Sequence, residues 1–291
     1  MRTFQNKKTF WLLALLFVSI IWGTSFLVIK HILLDVSPFS YLSLRFGIAF
    51  LIMLLLYYKK LRHPGDLFSW EGLISGVLLS GVYILSSIGV EYTSASNATF
   101  ITNLFMIFTP FIEVVFAKHK LQRKYLYASF LGILGFFFIS GLSDLVFNVG
   151  DGLMLLSAVF LSIHFVCTEN FTQRRSPENL VTTEAGVVFI TALIIGTLHG
   201  SLALPSNIDT YLPIAYLAIF STILAFEIIA QAEKYIESTQ TAIIISLQGV
   251  WALLFALSLQ LEVLTIHKII GVIIMTAAIL VAEASIKKTP I

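Results

Sequence analysis

Carboxylate side chains stand within several long apolar stretches of the sequence, at Glu113, Glu169, Glu184, Glu227 and Glu283. Glu227 is the most informative, because Gln231 follows four residues later and shares its face if the stretch is helical. A carboxyl group kept from water has a raised pKa and can exchange protons near neutrality. Two interpretations stay open. One is a site that couples protons or binds a cationic solute, and the other is a neutral glutamic acid hydrogen-bonded to a neighbouring helix.

A second set of titratable side chains lies between residues 164 and 169. His164 changes charge near physiological pH, and Glu169 follows five residues later. We expect the two to take part in a proton relay, and a packed histidine with a structural hydrogen bond is the alternative. Glu113 is expected either to face the same interior or to form an ion pair with Arg45, the one basic residue clearly inside an apolar stretch.

Amide and aromatic side chains supply the uncharged candidates for binding a small organic solute, since such pockets are largely apolar with a few placed polar groups. Asn97, Phe100 and Asn103 recur at spacings of three, as do Gln248 and Trp251. Contacts between helices are the alternative for each residue taken singly. The complete predicted substrate-binding set is Trp22, Tyr83, Asn97, Phe100, Asn103, His164, Glu227, Gln231, Gln248 and Trp251. The proton-coupling candidates are Glu227, His164 and Glu169.

The composition indicates which elements must position these side chains. Of 291 residues, 58% are hydrophobic and 12% are charged, whereas a soluble domain has about 45–50% and about 25%. The net charge of +2 gives no reason to expect a nucleic-acid partner. Apolar runs long enough to cross a bilayer as helices recur between short polar breaks. The predicted spans are 10–30, 39–58, 70–90, 96–117, 125–141, 151–172, 181–199, 211–232, 239–260 and 267–286.

The basic residues predict how these spans are oriented. If the N-terminus is cytoplasmic, 15 of the 18 Lys and Arg residues fall in cytoplasmic segments, in agreement with the positive-inside rule. Both chain termini are then cytoplasmic and the number of spans is even. The cytoplasmic set is Arg2, Lys7, Lys8, Lys59, Lys60, Arg62, Lys118, Lys120, Arg123, Lys124, Arg174, Arg175, Lys234, Lys287 and Lys288.

An internal repeat is detectable at an offset of 143 residues. Residues 92–97 (Y-T-S-A-S-N) then fall on residues 235–240 (Y-I-E-S-T-Q), a short aromatic-to-polar link that opens a helix in both cases. The prediction is a first five-helix repeat over 10–141 and a second over 150–286. Because each half has an odd number of spans, the second enters the membrane from the opposite side. Inverted repeats of this kind are common in secondary transporters, with the substrate site between the halves.

The same segments resemble the drug/metabolite transporter superfamily, specifically its EamA-type ten-helix transporters. Residues 21–26 read I-W-G-T-S-F, similar to the family's W-G-[ST]-[NS]-F, and residues 44–46 read L-R-F. Residues 89–98 read G-V-E-Y-T-S-A-S-N-A, similar to A-L-x-Y-T-S-A-S-x-A. The chain departs from the family at Gly249, where proline is usual, and at Gln248, which is often glutamate.

The resemblance implies an all-α integral membrane fold of ten helices, arranged as two inverted five-helix repeats around a central cavity. It also implies that helices 1, 3, 4, 6, 8 and 9 line the cavity, and that helices 5 and 10 lie at the back. In some relatives the last two support dimers, so the chain is expected to be a monomer or a homodimer.

These observations together predict a secondary transporter that exports small metabolites or drug-like solutes across the plasma membrane. The expected partners are a small solute and the lipid bilayer, and no cofactor or metal is expected. A non-transporting membrane scaffold or sensor and an intramembrane enzyme are the alternatives. The sequence carries none of the common catalytic or nucleotide-binding motifs.

Overall fold

A computed structural model describes residues 2–60, 69–93, 95–116, 122–140, 148–260 and 263–283, with the main chain alone for 2–6, 26, 95–97, 140 and 283. Within these ranges the chain is helical and contains no β-strand. The helices are α1 (Arg2–Ile32), α2 (Pro38–Tyr57), α3 (Trp70–Tyr92), α4 (Ala95–Asn103), α5 (Phe105–Phe116), α6 (Arg123–Ser140), α7 (Val149–Thr172), α8 (Pro177–Leu198), α9 (Tyr211–Tyr216), α10 (Ala225–Ala232), α11 (Ser238–Ile245), α12 (Gln248–Ser258) and α13 (Ile266–Glu283). A 3₁₀ turn (Ile208–Thr210) precedes α9, and a π-helix (Leu217–Leu224) joins α9 to α10.

Eight helical segments in the described part of the chain are long and apolar enough to cross a membrane. The chain is therefore a multi-pass membrane protein. The predicted fifth and tenth spans correspond to α6 and α13, which are not among those eight. Residue 141 and residues 284–286, where these two predicted spans end, lie outside the described residues, as do Arg62, Lys118, Lys120, Lys287 and Lys288.

The surface of the bundle is apolar and much of its interior is polar, as expected for a protein whose solvent is lipid. Large hydrophobic side chains such as Leu55, Phe130 and Leu280 are exposed on its outside. Serine, threonine and amide side chains lie inside, and Asn103 and Thr222 have no exposed surface. Interior polar groups in such a bundle serve either helix association or a solute path.

Several helices begin at turn sequences that satisfy their free N–H groups. The side chains of Ser37 and Ser176 cap α2 and α8, and proline occupies the next position in each case. Proline is favourable there because its missing N–H would have no helical partner. Asn148 and Asp151 form a reciprocal capping box at α7. Ser37-Pro38 and Ser176-Pro177 are thus the starts of α2 and α8.

Two spans are interrupted near their middles, at positions related by the repeat. Leu104 separates α4 from α5, and Ser246-Leu247 separates α11 from α12. The interruptions at Leu104 and Leu247 are 247 − 104 = 143 residues apart, which is the offset found in the sequence. Broken helices at corresponding positions of two repeats are a mark of transporter binding sites.

Helix contacts between the two parts of the chain come in matching pairs. α3 packs on α7 while α1 packs on α10, and α5 packs on α7 while α1 packs on α12. The α6–α13 pair is closest at Gly135 and Gly271, where a Cβ on Gly271 would lie 2.5 Å from the carbonyl oxygen of Gly135. The glycines of α6 therefore pack within the bundle.

Candidate functional site

A cavity lies at the centre of the bundle, between α1, α2, α3, α4, α7, the π-helix, α10 and α12. It extends from Trp22 and Phe226 near mid-bundle towards Ile29 and Val90, close to the ends of α1 and α3. The volume of the cavity is about 80 Å³. The walls are mainly apolar and carry a set of hydroxyl groups: Ser25, Ser86, Ser87, Thr102, Ser157 and Ser221. This composition suits a small organic solute.

Arg45 is the one charged side chain among the described residues that line the cavity. Its Nε donates to Thr222 Oγ1 at 2.8 Å and its Nη1 donates to the Tyr41 hydroxyl at 2.6 Å. Its Nη2 makes only longer contacts, with the Tyr83 hydroxyl at 3.4 Å and with Ser221 O and Oγ, each at 3.3 Å. The guanidinium thus fastens α2 to the π-helix and turns one edge to the cavity.

Trp22 and Tyr83, both predicted site residues, line the cavity beside Phe226. Trp22 Nε1 donates to Ser221 O at 3.1 Å, and its ring meets Phe226 edge to face at a centroid distance of 5.9 Å. Tyr83 packs against Phe226 at 6.2 Å. These three rings form the floor of the cavity on the side of the chain's N-terminus.

Gln248 also lines the cavity, and its Nε2 donates to Asn103 Oδ1 at 3.3 Å. Asn103 does not line the cavity itself, and its Nδ2 donates to Thr99 O at 2.9 Å. The two predicted amides therefore meet across the interruptions of α4–α5 and α11–α12. Their hydrogen bond holds the two broken spans together beside the site.

Three other predicted residues lie behind the cavity wall or outside what can be described. Phe100 stacks on Phe136 at a centroid distance of 5.7 Å. Trp251 Nε1 donates to Ser19 Oγ at 3.1 Å. Trp251 also packs closely on Gly23, since a Cβ added at Gly23 would lie 2.6 Å from the Cβ of Trp251. The side chain of Asn97 lies outside the described residues. Phe100 and Trp251 thus support the wall from behind.

His164 lies one layer below the cavity floor. Its ring is 6.4 Å from that of Phe226, and its Nε2 is 3.2 Å from Glu184 Oε1. Ser75 Oγ donates to the same oxygen at 2.5 Å. The other ring nitrogen, Nδ1, is buried without a hydrogen-bond partner among the described residues. His164 and Glu184 thus form a buried polar pair that only Phe226 separates from the cavity.

Further carboxylates surround Glu233, which follows α10 and is 1% exposed. Neither carboxyl oxygen of Glu233 has a hydrogen-bond partner within the described structure. Burial raises the pKa of Glu233 well above its usual value, and the charges of Glu169, Glu184 and Glu113 raise it further. Burial and the neighbouring carboxylates therefore favour the protonated form of Glu233. We call these four residues the glutamate cluster.

Two members of the glutamate cluster also tie neighbouring helices to the start of α11. Glu169 Oε2 accepts the backbone N–H of Ser238 at 2.8 Å, and the hydroxyl of Thr239 donates to Glu113. Glu113 neither lines the cavity nor pairs with Arg45, so neither expectation for it holds. No group of three or more His, Cys, Asp or Glu side chains in the described ranges is placed to hold a metal ion.

Glu227 and Gln231 lie apart from the cavity, although they share a helix face as predicted. Gln231 Nε2 donates to Glu227 Oε1 at 3.1 Å. Tyr57, Lys60 and Glu178, at the adjoining ends of α2 and α8, are the groups that interact with this carboxyl. The structure therefore brings together Trp22, Tyr83 and Gln248 at the cavity, and places His164 and Glu169 below it. A direct substrate-binding or coupling role for each stays a prediction.

The hydroxyl groups that line the cavity were not among the site residues predicted from the sequence. Ser25 and Ser221 meet at 2.9 Å between their Oγ atoms, and Thr24 Oγ1 lies 2.7 Å from the Tyr216 hydroxyl. Ser25 belongs to the W-G-T-S-F run, so its position was available as a signal. Ser221 had no comparable signal, because the π-helix that directs it inwards has no sequence pattern of its own.

The helical bundle and its central cavity define a multi-pass membrane protein of the solute-transporter class. The profile of the EamA-like transporter family matches the chain twice, over residues 9–141 and 148–283. The chain belongs to this family, which confirms the resemblance noted in its motifs.

Curated relatives agree with this membership, and a solved structure shares the fold. An uncharacterized transporter of Archaeoglobus fulgidus is 28% identical over 280 residues, which cover 95% of this chain and 87% of the relative. The uncharacterized transporter YyaM of Bacillus subtilis (strain 168) is 24% identical over 288 residues, covering 94% and 93%. One crystal structure has a similar fold, with a TM-score of 0.80 at 15% identity over 95% of this chain and 98% of that one.

Proposed function

We propose that the protein is a secondary transporter that exports small metabolites or drug-like solutes across the plasma membrane by alternating access. The observation that carries the proposal is the central cavity, whose lining residues run from Trp22 and Phe226 near mid-bundle towards one end at Ile29 and Val90. Transport is proposed in preference to catalysis because the cavity wall presents hydroxyl groups, an amide and one arginine, with no catalytic constellation among the described residues.

The proposed architecture has ten spans in two inverted halves, over 10–141 and 150–286, with both termini in the cytoplasm. The matching helix pairs α3–α7 and α1–α10, and the interruptions 143 residues apart, support this arrangement. In such transporters one half rocks against the other around a site at their interface. The cavity, which α1–α4 share with α7, the π-helix, α10 and α12, has that position.

Polar and aromatic contacts close the end of the bundle that holds the chain's N-terminus. Trp11 stacks on Tyr235 at a centroid distance of 6.4 Å and an interplanar angle of 9°. Glu237 accepts hydrogen bonds from Tyr125 at 2.6 Å and from Gln122 at 3.1 Å. With the ties of Glu169 and Glu113 to α11, these contacts centre on residues 233–239. Alternating access requires that they separate when the cavity opens to this side.

Proton coupling is the proposed driving mechanism, with His164, Glu169 and Glu227 as candidate groups. His164 and Glu169 lie between the cavity floor and the closed end, where opening would hydrate them. Glu227 lies on a separate path beside Tyr57. Unchanged pH-driven transport in Glu227→Gln would remove that residue from the mechanism, and the same result in His164→Gln would remove the relay.

The test is solute release from liposomes that contain the purified protein. Vesicles are loaded with a mixture of amino acids, amines, nucleosides and organic acids, and released solutes are identified by mass spectrometry with and without a pH gradient. We expect protein-dependent release of at least one class. A release profile equal to that of empty liposomes for every class would refute transport.

A cross-linking variant tests alternating access separately. In a Cys167→Ala background, Trp11→Cys and Tyr235→Cys place thiols on the two sides of the closed end, and a short bis-maleimide joins them. We expect the joined protein to lose transport while each single-cysteine variant treated in the same way retains it. Full transport by the joined protein would rule out an opening at this end.

A further inference from the structure

The charge of the cavity differs from that of the rest of the bundle interior. No Asp or Glu in the described part of the chain lines it, and within that part no carboxylate oxygen comes within 4.0 Å of the Arg45 guanidinium. Glu184 has its polar contacts with Ser75 and His164. A lone cation at membrane depth is costly and usually has a functional partner. The cavity is therefore a positively charged site.

The geometry of Arg45 identifies the edge at which an anion would bind. The short bonds of Nε and Nη1 go to Thr222 and Tyr41, which do not line the cavity. The long contacts of Nη2 go to Tyr83 and Ser221, which do line it. A guanidinium has five N–H donors. The two on Nη2 meet these cavity-lining acceptors only at 3.3–3.4 Å, so an anion in the cavity could replace those long contacts.

The aromatic surroundings hold this guanidinium in place without neutralising it. Its central carbon lies 4.9 Å from the ring centre of Tyr83 and 5.2 Å from that of Phe46. Such rings attract a cation and restrict its orientation, and they leave its charge available to a ligand. The paired hydroxyl groups of Ser25 and Ser221 add donors at the same level of the cavity.

We propose that Arg45, with the Ser25–Ser221 hydroxyl pair, binds the carboxylate group of a transported monoanionic solute whose apolar body packs on Trp22, Tyr83 and Phe226. This inference rests on the transport function proposed above. One arginine balances one negative charge, so Arg45 and a bound monocarboxylate together carry no net charge. A phosphate dianion would leave one charge uncompensated in the low-dielectric interior.

The test measures binding of four matched probes at pH 7: 3-phenylpropionate, its amide, 3-phenylpropylamine and phenyl phosphate. The readouts are the shift in the thermal unfolding midpoint of the purified protein and a fluorescence titration. We expect 3-phenylpropionate to bind more tightly than the other three. Arg45→Gln should weaken its binding by roughly tenfold or more, since a hydrogen bond to a charged group is lost, and should weaken binding of the uncharged amide much less.

A second variant covers the case in which Arg45→Gln does not fold. Ser25→Ala keeps the arginine and removes one hydroxyl, and should weaken carboxylate binding roughly fivefold. Equal binding of the amide and the carboxylate, tighter binding of the dianion, or no carboxylate binding would each overturn the proposal. Release of neutral or cationic solutes from liposomes without carboxylate binding would overturn the anion site and leave transport standing. Selective carboxylate binding without release of any solute would overturn transport and leave the anion site standing.

Discussion

Replacing Glu233 with glutamine should make the protein more stable, and the gain should grow with pH. The Glu233 carboxyl is buried without a hydrogen-bond partner in the described structure and lies near Glu169, Glu184 and Glu113. Burial, and then these three carboxylates, raise the pKa of Glu233 well above its usual value. The folded protein therefore keeps a proton on Glu233 that the unfolded chain releases at about pH 4.3.

The magnitude follows from proton linkage. Above about pH 4.3, and up to the raised pKa, the folded state holds one proton more than the unfolded state. Stability then falls as pH rises, by about 1.4 kcal/mol for each pH unit. Glutamine has no proton to release, so the variant escapes this loss. The difference in unfolding free energy between variant and wild type should therefore increase by about 2.7 kcal/mol over two pH units in this range.

The assay is unfolding of the detergent-solubilised protein followed by tryptophan fluorescence, at several pH values between about 5.5 and 7.5. Glu237→Gln is the matched control in the same loop. Its carboxylate accepts hydrogen bonds from Tyr125 and Gln122, so its replacement should lower stability. A Glu233→Gln advantage that stays constant or shrinks as pH rises would refute a protonated Glu233.

Three further substitutions give predictions for the same unfolding assay. Gly271→Ala should cost about 1–3 kcal/mol by overpacking, because its Cβ would lie 2.5 Å from the Gly135 carbonyl oxygen; an unchanged midpoint would show that α6 and α13 are further apart. Thr222→Val should cost about 1.5–3 kcal/mol, because Arg45 Nε loses its acceptor, whereas the exposed Thr276→Val should change little. Hydrogen bonds from Thr210, Asn207 and Ser206 lower the pKa of Asp35, so Asp35→Asn should destabilise above about pH 4 and lose this effect in more acidic solution; a pH-independent effect would contradict this.

The membrane class, the helix positions and several helix ends could be predicted from the sequence. Hydropathy locates long apolar runs directly, and Ser37-Pro38 and Ser176-Pro177 carry the chemistry of a helix start. The repeat offset of 143 residues predicted two halves of the chain, and the interruptions at Leu104 and Leu247 are separated by the same offset. These features depend on local sequence or on its periodicity, which is why they can be predicted without a structure.

The arrangement of side chains around the cavity could be predicted only in part. Spacing placed Glu227 and Gln231 on one face of a helix, but it does not determine towards which neighbour that face turns. Arg45 was recognised as buried, whereas its hydroxyl and aromatic partners come from α2, α3 and the π-helix. Glu233 follows a span, and its burial depends on helices distant in sequence. The rotation of each helix about its axis determines which neighbours Glu227, Arg45 and Glu233 contact.

The π-helix at Leu217–Leu224 gives this span a second possible hydrogen-bonding register. A π turn closes i→i+5 bonds and an α turn closes i→i+4 bonds, so conversion frees one residue. Shifting the register by one residue rotates everything beyond it by about 100° around the helix axis. Phe226, just beyond this segment, separates the cavity from His164. A shift of the helix register by one residue would therefore move the Phe226 ring away from this position. The cavity would then connect with the space around His164.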